Sequence, residues 1–325
     1  MLALTLFGIF FAIALAGVPL LYSILITTTG IIALQGLGHP LETIFLSFIG
    51  GVEPFILLAV PLFIFAGELL AQGGVGKRIV EFARVLFGWL PGGLGVVTVI
   101  SCTMFGGVSG SAIADTAAIG SLVIPAMVAR GYSRGFAAAL LAVAGTIALL
   151  MPLSIPFLVY AFISGVSMRT LSMAGLLPAL ATAVALIVMC MWHGKKTGVD
   201  NGEDRSTPAQ IWVATKDAGP ALMMPLIIVG GIWSGQFTPS ESAAVAVFYG
   251  LAVSLFYYRD LTWRHIPQLM LNAFSTSATV MLVIGATGAM AWLITVEQVA
   301  VQMAEWIQLV ATEQWMFLIL FNVCL

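Results

Sequence analysis

The chain reads as an all-α polytopic membrane protein, and three observations carry that reading. Its 325 residues are 61% hydrophobic and 8% charged, where a soluble domain is about 45–50% apolar and about 25% charged. Its apolar runs are solid and long enough for helices to cross a bilayer core of about 30 Å. A membrane barrel would instead show short segments of alternating hydrophobicity. Twelve Lys/Arg against fourteen Asp/Glu leave a net charge of -2, so no basic field is present to hold nucleic acid. The partner this composition asks for is the lipid bilayer.

The elements follow in order. Residues 1–35 carry no charge, and Gly17 and Pro19 divide them into helices at 1–17 and 18–35. Met1 to Leu15 lacks the basic start and the cleavage site of a secretory leader, so it is read as a membrane segment. An apolar run at 44–70 follows, with Glu53 and Glu68 as interfacial carboxylates. Long apolar blocks cover 93–129 and 135–166, and further runs lie at 170–192, 218–236, 240–258 and 268–294. A last run begins at Trp315 and is still apolar at Leu325. Cys102, Cys190 and Cys324 sit in or beside these runs without CxxC spacing and are read as packing residues.

The polar breaks set the topology. Lys77, Arg78 and Arg84 share one break and Arg130 and Arg134 another. Lys195, Lys196, Arg205 and Lys216 lie in the longest, 193–217, and Arg259 and Arg264 flank a fourth. Only Arg169 stands apart. The positive-inside rule places the basic breaks in the cytoplasm and the N-terminus outside. Both breaks around 93–129 are basic, so that block must enter and leave by one face as a re-entrant hairpin. Its middle, Phe105-Gly106-Gly107-Val108-Ser109-Gly110-Ser111, has the small residues a tip needs. Met151-Pro152-Leu153-Ser154-Ile155-Pro156 then interrupts the next block, because each proline removes a donor and disfavours helix before it. Paired broken elements of this kind mark transporter sites, where freed carbonyls coordinate ions.

Run 44–70 with its basic amphipathic stretch, and run 268–294 with the acidic stretch 295–314, fall on opposite sides and predict inverted repeats. The expected organisation is 1–92 as scaffold helices and cytoplasmic arm and 93–166 as a transport half-site. Residues 167–217 make a span and connecting loop, and 218–325 begin a second repeat.

Candidate site residues follow from this plan. Ser109, Gly110 and Ser111 at the tip, and Gly145, Thr146, Pro152 and Ser154 at the broken helix, are candidates to bind a cation. Hydroxyl and carbonyl oxygens, chiefly of Ser109, Ser111 and Ser154, would replace the hydration shell of Na⁺. The alternative is small-residue helix packing. Asp115, one turn beyond the tip, could assist the cation site, carry a proton or support the tip by hydrogen bonding; the structural alternative is a helix-start carboxylate favoured by the helix dipole. Thr238-Pro239-Ser240-Glu241 is a capping box, with Thr238 and Glu241 as structural cap. No nucleotide, metal-hydrolase or dinucleotide motif is present, which argues against an enzyme and against a cofactor beyond a coupling ion. Gly107-Val108-Ser109-Gly110 matches the GxSG of rhomboid-type intramembrane proteases, but His39, His193 and His265 lie at breaks or span ends, away from Ser109.

The stretch from Met104 to Asp115, continuing through Ile124-Pro125-Ala126-Met127 and Arg130-Gly131-Tyr132, resembles the large membrane subunit of TRAP (tripartite ATP-independent periplasmic) transporters. Ala66-Gly67-Glu68-Leu69, Ser154-Ile155-Pro156 and Phe237-Thr238-Pro239-Ser240-Glu241-Ser242-Ala243-Ala244 are similar to its other signatures. The resemblance implies a multi-pass subunit of the bacterial inner membrane that works as an elevator. It implies Na⁺ symport of a small organic acid, a carboxylate or a sialic acid. It also implies a small four-helix membrane subunit and a periplasmic substrate-binding protein as partners. The family's ion sites carry over to Ser109, Ser111, Gly145 and Ser154. A stand-alone dicarboxylate or anion carrier of similar architecture is the alternative. Two departures stand out. The family's paired prolines before the serine are here Pro152-Leu153. Its second-half Met-Asp hairpin and Thr-Pro-Pro break do not occur before Leu325, so the expectation is one half-site, a chain truncated at its C-terminus and no transport by these residues alone.

Overall fold

The computed structural model describes residues 2–35, 39–310, 315–316, 318–319 and 322, with backbone alone at 35 and 305–310. It is all-α, with no strand among the described residues. The helices are α1 Leu2–Leu15, α2 Leu20–Gln35, α3 Leu41–Val52, α4 Ala59–Gln72, α5 Val75–Phe87, α6 Gly93–Ser109, α7 Ala112–Ala129, α8 Arg134–Thr146, α9 Ile155–Ser164, α10 Met168–Thr197, α11 Pro208–Ser234, α12 Pro239–Ala252, α13 Ile266–Val296 and α14 Val299–Val310. Tight 3-10 turns precede α4 at Phe55–Leu58 and follow α8 at Ile147–Leu150, and a π-helical turn, Val253–Tyr257, extends α12. Seven helices among the described residues are long and apolar enough to cross a membrane.

Two compact units divide the chain, residues 1–54 with 278–325 and residues 55–277, the boundary falling inside α13. In the first unit Leu6, Ile24, Ile31, Ala286, Ala289 and Leu293 form a buried cluster. Here α3 and α13 meet through glycines, since a Cβ at Gly288 would lie 3.0 Å from the Gly51 Cα. Small residues are what allow membrane helices this approach. His39 Nε2 lies 2.9 Å from Glu297 Oε1.

The second unit holds the hairpin and the broken helix. Gly110, at φ +59°, ends α6, and Ser111 opens α7 as its N-cap, accepting from the Ala114 N–H. The two arms therefore turn back on each other. Ion pairs place their outer ends together. Glu203 is paired with both Arg84 (3.4 Å) and Arg130, and Arg130 Nη1 lies 2.9 Å from Asp200 Oδ1. Asp200 also accepts from the Leu94 N–H at 2.7 Å, at the start of α6. Arg78 joins Asp217 (3.5 Å) and Asp260 (2.5 Å). All four basic breaks thus meet on one face, as a hairpin between two of them requires.

The element bounds differ from the hydropathy reading in two places. Run 44–70 is two helices, because Pro54 supplies no N–H and restricts Glu53 before it. The break 193–217 is shorter. Lys195 and Lys196 continue α10 into its last turn, where cations suit the helix dipole. Thr207 opens α11 with a capping box to Gln210 and Pro208 in the first turn. In the acidic stretch 295–314, helix resumes at Val299. Glu313 and Cys324 lie outside the described residues, as does the Glu305 side chain.

Helix α11 carries Pro220 and Pro225 in its interior, and tyrosines from α12 and from just after its π-helical turn bond the backbone around Pro220. The Tyr258 hydroxyl accepts from the Ala221 N–H (3.2 Å) and donates to the Asp217 carbonyl (2.8 Å), the two groups an unbroken helix joins directly. Tyr249 donates to the Pro220 carbonyl at 2.8 Å. Arg78 lies over the Tyr258 ring, 3.6 Å from its centroid.

Candidate functional site

The tip of the hairpin is packed on the break in the neighbouring helix. A Cβ at Gly110 would lie 2.3 Å from the Leu153 carbonyl oxygen and 3.1 Å from the Ser154 Cα. Positive φ and this close approach both require glycine there. Helix α4 closes a third side, since a Cβ at Gly67 would stand 3.6 Å from the Ser109 carbonyl oxygen.

The side chains form a compact polar set. Ser109 is 1% exposed and Asp115 and Ser154 are fully buried. Ser109 donates its hydroxyl proton to Asp115 Oδ1 and accepts from the Ser111 N–H at 3.2 Å. Ser111 Oγ accepts from the Ala114 N–H (3.3 Å) and Ser154 Oγ from the Phe157 N–H (3.3 Å), each capping a helix start. A serine oxygen that accepts one N–H keeps a second lone pair. Asp115 Oδ2 is buried with no hydrogen-bond partner, and it faces Gly106, where a Cβ would lie 2.7 Å from it and 2.8 Å from the Ala148 Cα. Hard oxygen donors from hydroxyls, freed carbonyls and one carboxylate are the set that suits an alkali cation. No cluster of three His, Cys, Asp or Glu that could hold a transition metal occurs among the described residues.

The other candidates are placed as follows. Pro152 is buried in the break itself. Gly145 lies against the second arm, where a Cβ would be 2.4 Å from Thr116 Oγ1. Thr146 is exposed and donates back to the Val143 carbonyl at 2.7 Å, so the structure does not bring it to the tip. Thr238 and Glu241 form a complete capping box at α12, distinct from the tip. Sequence reasoning singled out Gly67 and Gly106 only within longer motifs and gave neither a packing contact of its own; the Gly67-Glu68 pair in α4 and the doubled glycine before the tip were the available signals. It missed Asp200, whose side chain is 1% exposed between the two ends of the hairpin.

The histidines do not serve Ser109. His193 stacks on Phe136 at 4.0 Å, His265 lies 3.1 Å from Thr262 Oγ1, and His39 pairs with Glu297. A hairpin tip set against a broken helix, in a chain rich in membrane-crossing helices, defines a membrane transport protein rather than an intramembrane hydrolase.

The chain belongs to the DctM component family of tripartite ATP-independent periplasmic transporters, whose family model matches residues 7–325. It is 35% identical over its whole length to the C4-dicarboxylate TRAP transporter large permease protein of Rhodobacter capsulatus, covering 77% of that protein. It is 36% identical to the isethionate TRAP transporter permease protein of Oleidesulfovibrio alaskensis, over 98% of this chain and 50% of that one. To the sialic acid TRAP transporter large permease protein of Vibrio cholerae it is 35% identical, over 85% of this chain and 65% of that protein. These relatives are transport permeases and not enzymes.

Proposed function

We propose that this chain is the membrane-embedded part of a secondary transporter that imports a small organic acid by Na⁺ symport. The observation that carries the reading is the seating of Gly110 on the Leu153 carbonyl. Ser154 thereby lies next to the tip that carries Ser109 and Ser111, and Asp115, bonded to Ser109, has an unpartnered carboxylate oxygen. Na⁺, as the coupling ion, is held by those three serines with carbonyls freed near Pro152. Asp115 fixes Ser109 and supports the tip. Gly145 gives close packing of the broken helix against the hairpin.

The solute is an organic anion of the dicarboxylate, sulfonate or sialic acid kind, as the names of the relatives suggest. Family membership supports a small four-helix membrane subunit and a periplasmic substrate-binding protein as partners. The concentration of basic residues on one face supports a bacterial inner-membrane location with that face in the cytoplasm and the N-terminus in the periplasm. With no nucleotide motif in the sequence, the energy comes from an ion gradient or from a partner, and the gradient is the source proposed. Movement of the hairpin and broken helix as one element, in an elevator cycle, is consistent with their tight packing.

The test is solute uptake by the full-length permease reconstituted with both partners, with and without an inward sodium gradient. Uptake that requires the gradient, with a raised half-saturating Na⁺ concentration in Ser109→Ala and Ser154→Ala, is the expected result. Uptake indifferent to sodium overturns the reading.

A further inference from the structure

Arg169 stands apart from every other basic residue of the chain. It lies in the first turn of α10, whose last turn carries Lys195 and Lys196. That helix has 30 residues, roughly 45 Å at a rise of about 1.5 Å per residue. Arg169 therefore sits on the face opposite the basic belt. Its guanidinium has no carboxylate partner among the described residues. It lines a cleft of about 470 Å³, open to the outside. The rest of the wall is mainly apolar, including Ile56, Phe162, Val166, Ile232 and Phe237, with Ser167 as a polar member. The carboxylate nearest the wall in sequence, Glu241, is held by the Thr238 N–H and hydroxyl, at 2.8 and 2.9 Å.

The cleft is connected to the candidate ion site by one element. Helix α9 starts at its Ser154 cap and ends at the cleft wall after 10 residues, roughly 15 Å by helical rise. A pocket of this volume is in the range that takes a small molecule. Arg169 is an exposed residue of the cleft wall, and a guanidinium without a carboxylate partner there favours one planar anion held bidentately and disfavours a cation.

We propose that this cleft is a reception site for the organic anion on its way to the hairpin, with Arg169 holding a carboxylate. This rests on the transport reading above and names a second solute-contacting place within it. A phospholipid headgroup would present the same anionic chemistry, and the test separates the two.

The full-length permease in phosphatidylcholine nanodiscs is treated with phenylglyoxal, and modification of Arg169 is followed by peptide mass spectrometry. Succinate is the probe and succinamide its uncharged control. Succinate at roughly ten times its half-protecting concentration slows modification of Arg169 about tenfold by mass action, while succinamide does not, and Arg130, already paired with Asp200 and Glu203, is unaffected by either. Equal rates with and without succinate overturn the proposal. So does protection by phosphatidylglycerol added to the nanodisc with none by succinate, which assigns the cleft to lipid. In the reconstituted transporter Arg169→Gln raises the solute KM at unchanged kcat, and Arg169→Lys recovers part of it; an unchanged KM in Arg169→Gln also overturns it. The protection assay needs neither transport nor sodium, so a failed coupling-ion reading leaves it standing and the reverse failure is equally visible.

Discussion

Arg84 and Arg130 share one carboxylate, that of Glu203. Arg84 lies before the hairpin and Arg130 directly after it, so the shared partner fixes both ends of the re-entrant segment to one face. Asp200 adds to the clamp by capping the Leu94 N–H and pairing with Arg130. Tyr132 points its hydroxyl at the same carboxylate, 3.4 Å away, and burial holds that phenol above its ordinary pKa.

Removing Asp200 should therefore loosen the hairpin at its base. Asp200→Ala leaves the buried Leu94 N–H without its acceptor and Arg130 with Glu203 alone, a loss of about 1–3 kcal/mol for an unsatisfied buried donor. Thermal unfolding in nanodiscs should show the lowered stability, and a cysteine placed at Ala129 should become more reactive. An unchanged melting temperature would remove the clamp from the account.

At the tip, two neighbouring glycines should respond in opposite ways. Gly110→Ala forces a Cβ onto the Leu153 carbonyl at 2.3 Å, at a φ of +59°. The left-handed conformation alone costs about 1–2 kcal/mol, and the clash adds to it, so uptake should be lost. Gly107→Ala meets nothing within 4 Å and should be neutral or stabilise α6 by up to about 1 kcal/mol. Parallel uptake and melting measurements compare the pair.

Asp115→Asn keeps the shape but can present an amide N–H₂ or a neutral oxygen to Ser109. If the carboxylate holds the Ser109 hydroxyl so that its lone pair is free for the ion, this variant should raise the half-saturating Na⁺ concentration more than the solute KM. Equal shifts in both would reduce Asp115 to a packing role.

The Tyr258 phenol is expected to stay protonated far into alkali. Burial is the main cause, opposed by the Ala221 N–H and by Arg78, and the folded-state value is pushed up to about 12 from 10. A folded pKa above the unfolded one means the stabilising difference is present in full below pH 10. It is lost as pH rises from there through about 12. Absorbance titration at the phenolate band, comparing the wild type with Tyr258→Phe, should show one late-titrating tyrosine missing from the variant.

In the first unit, Gly288→Val should separate α3 from α13, because the added carbons meet the Gly51 Cα at 3.0 Å and the Ser47 carbonyl oxygen at 3.2 Å. A reduced melting temperature and loss of folded yield are the expected results; Gly50→Val, at a position with nothing within 4 Å, is the control.

Much of this was legible in the residues. Charge placement around 93–129 demanded a hairpin, and Pro152 with Pro156 demanded a broken helix, because both follow from backbone hydrogen bonding and from where charge can reside near lipid. The split at Glu53-Pro54 was hidden by the apolar residues on either side, since hydropathy averages over a single proline. The capping box at Thr207 was hidden inside a stretch that reads as polar loop. Asp200 could not be read as a clamp at all, because its partners Leu94 and Arg130 are remote in sequence and come together only through the fold. Thr146 was misleading for the reason serines and threonines often are in membrane helices: its hydroxyl is satisfied by its own backbone.

The two tyrosines set into α11 have a mechanical consequence. A helix interrupted at Pro220, whose open backbone groups are bridged by a neighbour's phenol, can bend by exchanging partners at that phenol without stranding an amide. Because Arg78 of α5 rests on the Tyr258 ring, flexing of α11 is felt directly by the amphipathic arm, and any displacement of that arm is returned to the same joint.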